Sequence, residues 1–311
     1  MGSIIEFYAR YIWPIHRRFV KLNKRCKKCI TSEKQVELYN GICPQCLVNE
    51  VKFDEDKIKS GQELETYLHS CKKVVVLLSG GKDSAYLLNR LKNNYNINLI
   101  ALTITHDNAN ETAVENARLA CKTLDIEHII IRLPWSLIKK TYRDIILKGG
   151  NACNVDFAHG DMIHNKGSQF AKDIGADAVI SGVSYIQVVD VIKCRGYKND
   201  NILYPFYIWT YNEAIMREQV ERLKLIKRGK SSPLVSNDQL LLGMVMVDEW
   251  RLGYCSFESQ FSSMIRRGEA KRKTWLPIVE MFEFVGKFGW PLDRSATEML
   301  KKLDLTKQDI I

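Results

Sequence analysis

From Lys73 onward two hydrophobic rhythms alternate along the chain. Short unbroken apolar runs are separated by stretches in which apolar residues return every three or four positions. The first rhythm belongs to strands buried on both faces, the second to amphipathic helices packed over them. The runs predict strands at Val74–Leu78, Leu99–Thr105, His128–Arg132 and Ala178–Ser181. The periodic stretches predict helices at Ser84–Leu91, Glu111–Leu124, from Pro134 to Leu147, and Asp161–Ile174. Asn110 is placed to cap the second of these, and Gly149-Gly150 and Gly175 to stop the last two. Regular strand–helix alternation gives a doubly wound parallel α/β sheet with right-handed crossovers, its ligand site at the strand C-termini.

The flanking segments do not share this pattern. Residues 1–25 form an arm in which Phe7, Tyr8, Tyr11, Trp13 and Phe19 are mixed with arginines and lysines, and Pro14 interrupts any single helix. Two readings stand: an arm whose aromatics pack on the rest of the protein, or a segment lying on an anionic membrane surface. Residues 26–50 read as a small ribbon, and 51–72 as a polar linker with a helix at Ile58–Leu68. The α/β domain is expected over 73–195. Over 196–311 the alternation fades into an aromatic stretch (Tyr204–Tyr211), a helix (Asn212–Ile226), a basic loop (Arg228–Pro233) and a mostly helical remainder from Leu240.

Composition narrows the class of protein. The chain has 311 residues, is 46% hydrophobic and 26% charged, and carries a formal net charge of +10. That is a globular composition with a real core. No apolar run is long enough to span a bilayer and no signal-peptide pattern opens the chain, so a cytoplasmic location is expected. The positive charge favours anionic partners: phosphorylated small molecules, RNA or an anionic membrane surface.

The chemistry begins where the first strand ends. Ser79-Gly80-Gly81-Lys82-Asp83-Ser84 joins that strand to the next helix. Two glycines free the backbone to approach an anion, two serines offer hydroxyls, and the helix N-terminus adds the positive end of its dipole. The loop is a phosphate cradle that is neither a Walker loop nor a Rossmann fingerprint. Asp83 beside a polyphosphate makes sense as a magnesium contact or as an organiser of the loop.

Upstream, Cys26-x-x-Cys29 and Cys43-x-x-Cys46 are separated by thirteen residues, with Gly41 and Pro44 supplying turn chemistry. Paired thiolates at this spacing close a tetrahedral shell around a structural zinc ion. Cys153, in Asn151-Ala152-Cys153-Asn154-Val155-Asp156, precedes a helix, where a thiolate is activated; a buried structural cysteine is the alternative. His159 and His164 are five residues apart, which does not place them on one helix face as a metal pair, and leaves them as acid–base or acceptor contacts. Arg266-Arg267-Gly268 and Lys271-Arg272 form a basic run that could clamp a phosphate.

The six residues Ser79–Ser84 resemble the signature of the PP-loop ATP pyrophosphatases, and the chain is similar to that family over roughly residues 26–190. The resemblance implies an adenine-nucleotide α-hydrolase-like fold, with ATP and Mg2+ as cofactors and cleavage between the α and β phosphates. AMP passes to a substrate oxygen and a nitrogen or sulfur nucleophile displaces it. It implies a catalytic role for Asp83 and nucleotide contacts from Ser79, Gly80, Gly81, Lys82, Asp83 and Ser84; Lys82, at the variable position of the motif, is a catalytic candidate through its own charge, which the family does not demand. Backbone at Thr103 and Thr105 would meet the adenine, and Gly182 would lie beside the phosphates.

A four-cysteine ribbon, a linker helix and then this loop resembles the amidotransferases that act on N-acetyl sugars in lipopolysaccharide and nonulosonic-acid synthesis. That branch implies a nucleotide-sugar acceptor and ammonia from a partner glutaminase. PP-loop thiolases of tRNA are the alternative, with Cys153 as the sulfur carrier and RNA as partner. They carry a Cys-x-x-Cys at a similar place, where this chain has Asp156 as the second member. A non-catalytic nucleotide-binding subunit is the third reading.

Overall fold

The computed structural model describes residues 7–48, 56–230, 238–289 and 293–311. The start of the arm (1–6), the ribbon–linker junction (49–55) and Ser231–Pro233 of the basic loop lie outside the described residues. The chain forms two interleaved units. A sheet unit holds Lys52–Pro134 and Gly160–Asn237, and a helical unit holds Met1–Val51, Trp135–His159 and Asp238–Ile311.

In the sheet unit the apolar runs become β1 (Lys73–Leu77), β2 (Asn98–Thr105), β3 (Glu127–Arg132) and β4 (Ala178–Ser181), joined by β5 (Lys198–Asn199) and β6 (Ile202–Leu203). Their order is β3-β2-β1-β4-β6-β5. β1 pairs in parallel with both β2 and β4, and only the edge strand β5 runs antiparallel. Val74, Val75 and Val76 are fully buried, as a central strand covered on both faces requires. The order reverses at β1, so a crevice opens at its C-terminal end.

The helices Lys82–Asn94 and Glu111–Leu124 pack on the sheet, and Ala85 and Ala120 share a core cluster with Val220, Leu225 and Ile226. Asn110 caps the second helix as expected, its side chain accepting from Thr112 N–H at 3.1 Å. Asn212 does the same for the helix Glu213–Arg222, accepting from the N–H groups of Ala214 and Ile215. That helix stops short of the predicted Ile226. Lys224 turns into the left-handed region (φ 57°), and Leu225 and Ile226 fold back into the core. β5 and β6 were not predicted, because two-residue strands carry no readable period.

The predicted helix Asp161–Ile174 is in fact Ala152–Asp173. Its start is set by asparagines that the sequence suggested were loop. Asn151 N–H donates to Asn154 Oδ1 and Asn154 N–H to Asn151 Oδ1, each at 3.0 Å, a reciprocal cap built from two amides.

In the helical unit the expected C-terminal helices are Leu241–Leu252, Glu258–Arg266, Arg272–Phe288 and Asp293–Lys302. The ribbon is anchored to them by polar contacts. Arg25 makes buried ion pairs with Glu258 at 2.6 Å and Glu283 at 3.0 Å. Arg272 donates to the carbonyls of Cys29 (2.7 Å) and Cys26 (3.1 Å), and Thr31 donates to Ser262 at 2.9 Å.

The arm also packs here. It runs as a π-helical turn (Tyr8–Ile12), an α-helical turn (Trp13–His16) and a 3-10 turn (Arg17–Phe19). Pro14 sits in the first turn, where its missing N–H costs little, so the expected break is a change of helix type. Trp13 is fully buried and donates to Glu280 at 3.3 Å, and Arg17 pairs with the same carboxylate.

Candidate functional site

β1 delivers Ser79-Gly80-Gly81 to the crevice, and Gly81 is the N-cap of the helix Lys82–Asn94 with no side chain bonded over the cap. The first-turn N–H groups are therefore not covered by a capping side chain, which is what an anion site at a helix N-terminus needs. Ser84 Oγ donates to the Gly81 carbonyl at 3.2 Å and lies 3.1 Å from Ser79 Oγ, so the two serines brace the turn from both ends.

Gly80 has φ +76°, and a Cβ there would lie 1.7 Å from the Ala113 carbonyl oxygen. Backbone cannot yield to a methyl group at that distance. Gly80→Ala is expected to cost more than about 2 kcal/mol through strain and overpacking, read as a lowered midpoint in denaturant. An unchanged midpoint would show that the loop relaxes freely. Asn116, only 1% exposed, holds the same turn by donating to the Gly80 carbonyl at 3.3 Å. No sequence motif marks it.

Lys82 and Asp83 point to one place. Lys82 Nζ lies 3.0 Å from Asp83 Oδ2, and Tyr211 OH donates to Asp83 Oδ1 at 2.8 Å while accepting from Lys82 at 3.3 Å. Tyr211 was read only as part of an aromatic stretch. Its signal was the spacing of Phe206, Trp209 and Tyr211, whose rings pack together and carry the hydroxyl to the loop. Tyr211→Phe is expected to lower turnover about tenfold without changing the fold, the worth of one hydrogen bond to a charged group. A wild-type rate would show that Asp83 is held adequately by Lys82 alone.

Gly182 is brought to the loop, since a Cβ there would sit 3.3 Å from the backbone of Ser84. β2 outruns β1: their pairing ends at Leu77↔Leu102, so Thr103–Thr105 extend past the end of β1. The Thr103 side chain is turned away, buried, and bonded to the Leu78 carbonyl and His128 at 2.8 Å each. Its hydroxyl is therefore committed to the sheet. His164 Nε2 lies 3.0 Å from Ser181 Oγ at the end of β4, and burial holds its imidazole neutral, down to about 4. Asp107 after β2 is ion-paired with Arg132.

The candidate metal centre belongs to the helical unit. The four sulfurs of Cys26, Cys29, Cys43 and Cys46 lie within 4.8 Å of one another. Three of these residues are fully buried and the fourth is 3% exposed. Cys26 Sγ accepts from the N–H groups of Cys29 (3.5 Å) and Cys43 (3.3 Å), the knuckle pattern that stabilises a thiolate. Burial pushes the Cys29 thiol up, but hydrogen bonds from Thr31 and Ser262 outweigh it and bring it down to about 6. The donor set fits a four-thiolate metal centre. The basic run read as a phosphate clamp is partly spent here: Arg266 reaches Cys29 Sγ at 3.8 Å, Arg272 holds the ribbon carbonyls, and Arg267 pairs with Glu269.

Cys153 also lies in the helical unit, 7% exposed, with Gln260 donating to its sulfur at 3.6 Å and its own N–H donating to Ser256. Burial pushes its thiol up to about 12, against the activation expected at a helix start. Asp248 accepts from Ala152 N–H at 2.9 Å, so a carboxylate already occupies that helix start. His159, in the same unit, has Nδ1 4.0 Å from Asp238, to which Tyr142 also donates.

Residues 73–195 match the family model described as queuosine biosynthesis protein QueC. An uncharacterized protein of Methanocaldococcus jannaschii is 25% identical over 139 residues, 42% of this chain and 49% of that protein. A 7-cyano-7-deazaguanine synthase of Methanosphaera stadtmanae is 33% identical over 63 residues, 20% of this chain and 27% of that protein. The matched segments thus span about half the length of the first curated relative and about a quarter of the second. Among solved structures, NMN synthetase from Francisella tularensis superposes with a TM-score of 0.43 at 16% identity, covering 71% of this chain and 97% of that one. The U34-tRNA thiolase NcsA from Methanococcus maripaludis, solved with its iron–sulfur cluster, gives 0.42 at 19%, covering 86% and 89%. The matched segment 73–195 contains the intact loop Ser79–Ser84.

Proposed function

We propose that the protein adenylates a substrate oxygen with ATP, releases pyrophosphate, and passes the activated carbon to ammonia, with an N-acetylated sugar nucleotide as acceptor. The observation that carries the reading is the loop: a cradle of unblocked N–H groups at the switch point, with Lys82 and Asp83 held together by Tyr211. Lys82 would neutralise the phosphate bridging the scissile bond, and the helix N-terminus would hold the leaving pyrophosphate. Asp83 would hold Mg2+, which supplies charge neutralisation on the polyphosphate. Cys26, Cys29, Cys43 and Cys46 would hold a structural zinc ion, and ammonia would come from a partner glutaminase.

Sulfur transfer is disfavoured by the state of Cys153, a buried thiol whose protonated form is strongly stabilised. The test incubates the protein with ATP, ammonium and candidate N-acetylated sugar nucleotides. AMP and pyrophosphate are expected to appear in equal amounts, and Cys153→Ser is expected to retain the activity. ADP and phosphate as products would overturn the adenylation reading. Loss of activity in a folded Cys153→Ser protein, with persulfide trapped on the wild-type thiol, would transfer the case to sulfur.

A further inference from the structure

The described residues of the arm pack one face on the helices. Ala9 and Trp13 are buried against the helical unit, and Trp13 and Arg17 are both tied to Glu280. The opposite face is a row at four-residue spacing: Phe7 (57% exposed), Tyr11 (58%), Ile15 (59%) and Phe19 (84%). Side chains four apart on a helical segment stack on one side, and Phe7 and Tyr11 do so with ring centroids 4.9 Å apart. The row has a neighbour. Trp13 packs on Phe284, Phe284 on Phe288, and Phe288 is 62% exposed. Lys287 beside it donates to the Lys21 carbonyl at 3.5 Å, so the end of the helix Arg272–Phe288 lies against the chain leaving the arm. Phe7, Tyr11, Ile15 and Phe19 thus expose an apolar row on a segment whose inner side is fixed in place, and Phe288 exposes a further ring at the end of the helix that the arm packs on.

The sequence of the segment carries charge of one sign, and the acids that meet it from its neighbours, Glu258, Glu280 and Glu283, are taken up by Arg25 and Arg17 on the packed side. From Phe7 to Ser32 the chain contains eight Lys and Arg residues and no acidic residue. Arg18, Lys21, Lys24, Lys27 and Lys28 are exposed. Aromatic side chains flanked by lysine and arginine suit the boundary between lipid headgroups and acyl chains. An RNA partner would account for the bases and the rings but not for Ile15. No helix among the described residues is long and apolar enough to cross a membrane, so the contact would lie in the surface plane.

We propose that residues 7–19 and Phe288 form an interfacial anchor for an anionic lipid bilayer, the apolar row entering the headgroup boundary and Arg18, Lys21 and Lys24 meeting lipid phosphates. The test is flotation of the full chain with vesicles of phosphatidylcholine alone and of equal parts phosphatidylcholine and phosphatidylglycerol. Wild type is expected to float with the anionic vesicles at least tenfold more strongly than with the neutral ones, and less at high salt. Ile15→Ser with Phe19→Ser, two exposed positions, should reduce flotation more than tenfold while the metal content and thermal midpoint stay unchanged. The proposal would be overturned by no flotation with either vesicle, by undiminished flotation of the double variant, or by self-association that the double variant abolishes. The last would show that a second copy covers this face. Competition of bound vesicles by single-stranded RNA, with the apolar variant still binding RNA, would assign the surface to RNA instead.

Discussion

Asp83→Asn is expected to reduce pyrophosphate release from ATP by about a thousandfold, the scale seen when one preorganised charge-stabilising group is removed from an active site. The substitution is chosen to leave the geometry in place. An asparagine Oδ1 still accepts from the Tyr211 hydroxyl, which lies 2.8 Å from the carboxylate now, and the helix keeps its N-cap at Gly81. What disappears is the negative charge that pairs with Lys82 and would hold Mg2+. Lys82 Nζ, 3.0 Å from Asp83 Oδ2, would lose its counter-ion and swing toward the phosphates. ATP binding should therefore survive, and any tightening of it alongside the lost turnover would locate the defect in the chemical step. A second effect is small: a carboxylate in the first helical turn is worth about 0.3–1 kcal/mol against the dipole. Rates measured by a coupled pyrophosphate assay, beside ATP affinity by calorimetry, separate the two. A variant with undiminished turnover would remove Asp83 from the reaction.

Removing the metal should have the largest effect on stability. Chelation, or Cys43→Ser, is expected to unfold the ribbon, because binding energies of about 10–16 kcal/mol for structural zinc sites are folding energies in segments without a core of their own. Outside the four cysteines the ribbon's described apolar packing is thin: Ile30 is buried, and Val36, Leu38 and Ile42 are partly buried against the cysteines together with Ile265 from the helices. The loss would spread. Arg25 and Arg272 hold the ribbon to the helices through contacts that exist only while residues 25–29 keep their turn. Releasing Arg25 would leave Glu258 buried without its ion-pair partner, a further cost of about 3–5 kcal/mol, while Glu283 would keep Lys287 at 2.6 Å. Limited proteolysis within residues 26–46, together with the thermal midpoint before and after chelation, reads the outcome. Unchanged protection after complete metal removal would show that the cysteines are merely core. Elemental analysis of the purified chain identifies the ion, and iron with inorganic sulfide would replace zinc by a cluster.

The parts of this molecule legible in sequence are those written in local chemistry. Ser79–Ser84 named its own site because a cradle for phosphate needs consecutive residues, and the cysteine pairs named theirs because knuckles do. Val74–Val76 read as a central strand because burial on both faces leaves no polar position. The groups that set the geometry around the loop were hidden for the opposite reason. Asn116 and Tyr211 reach it from 36 and 128 residues away, and nothing in a linear pattern announces a partner at that distance. Cys153 shows a further limit. The sequence pattern places it ahead of a helix beginning at Asp161, whereas the helix begins at Ala152 and contains it, and the field of that start is met by Asp248, a residue from another helix that the local sequence does not contain.

The interleaving of the two units bears on how the chain must be synthesised and handled. The core beneath the helix Lys82–Asn94 includes Val220, Leu225 and Ile226, so this layer cannot close when residue 195 leaves the ribosome. A fragment cut to the family match would expose Ala85 and Ala120 on an unfilled face and is expected to aggregate. The ribbon faces a longer wait, since its buried Arg25 meets Glu258 and Glu283 only after nearly the whole chain has emerged. Residues 25–46 are thus made long before the groups that lock them, and a metal captured by the four cysteines on the nascent chain would hold that segment in shape until the helices arrive.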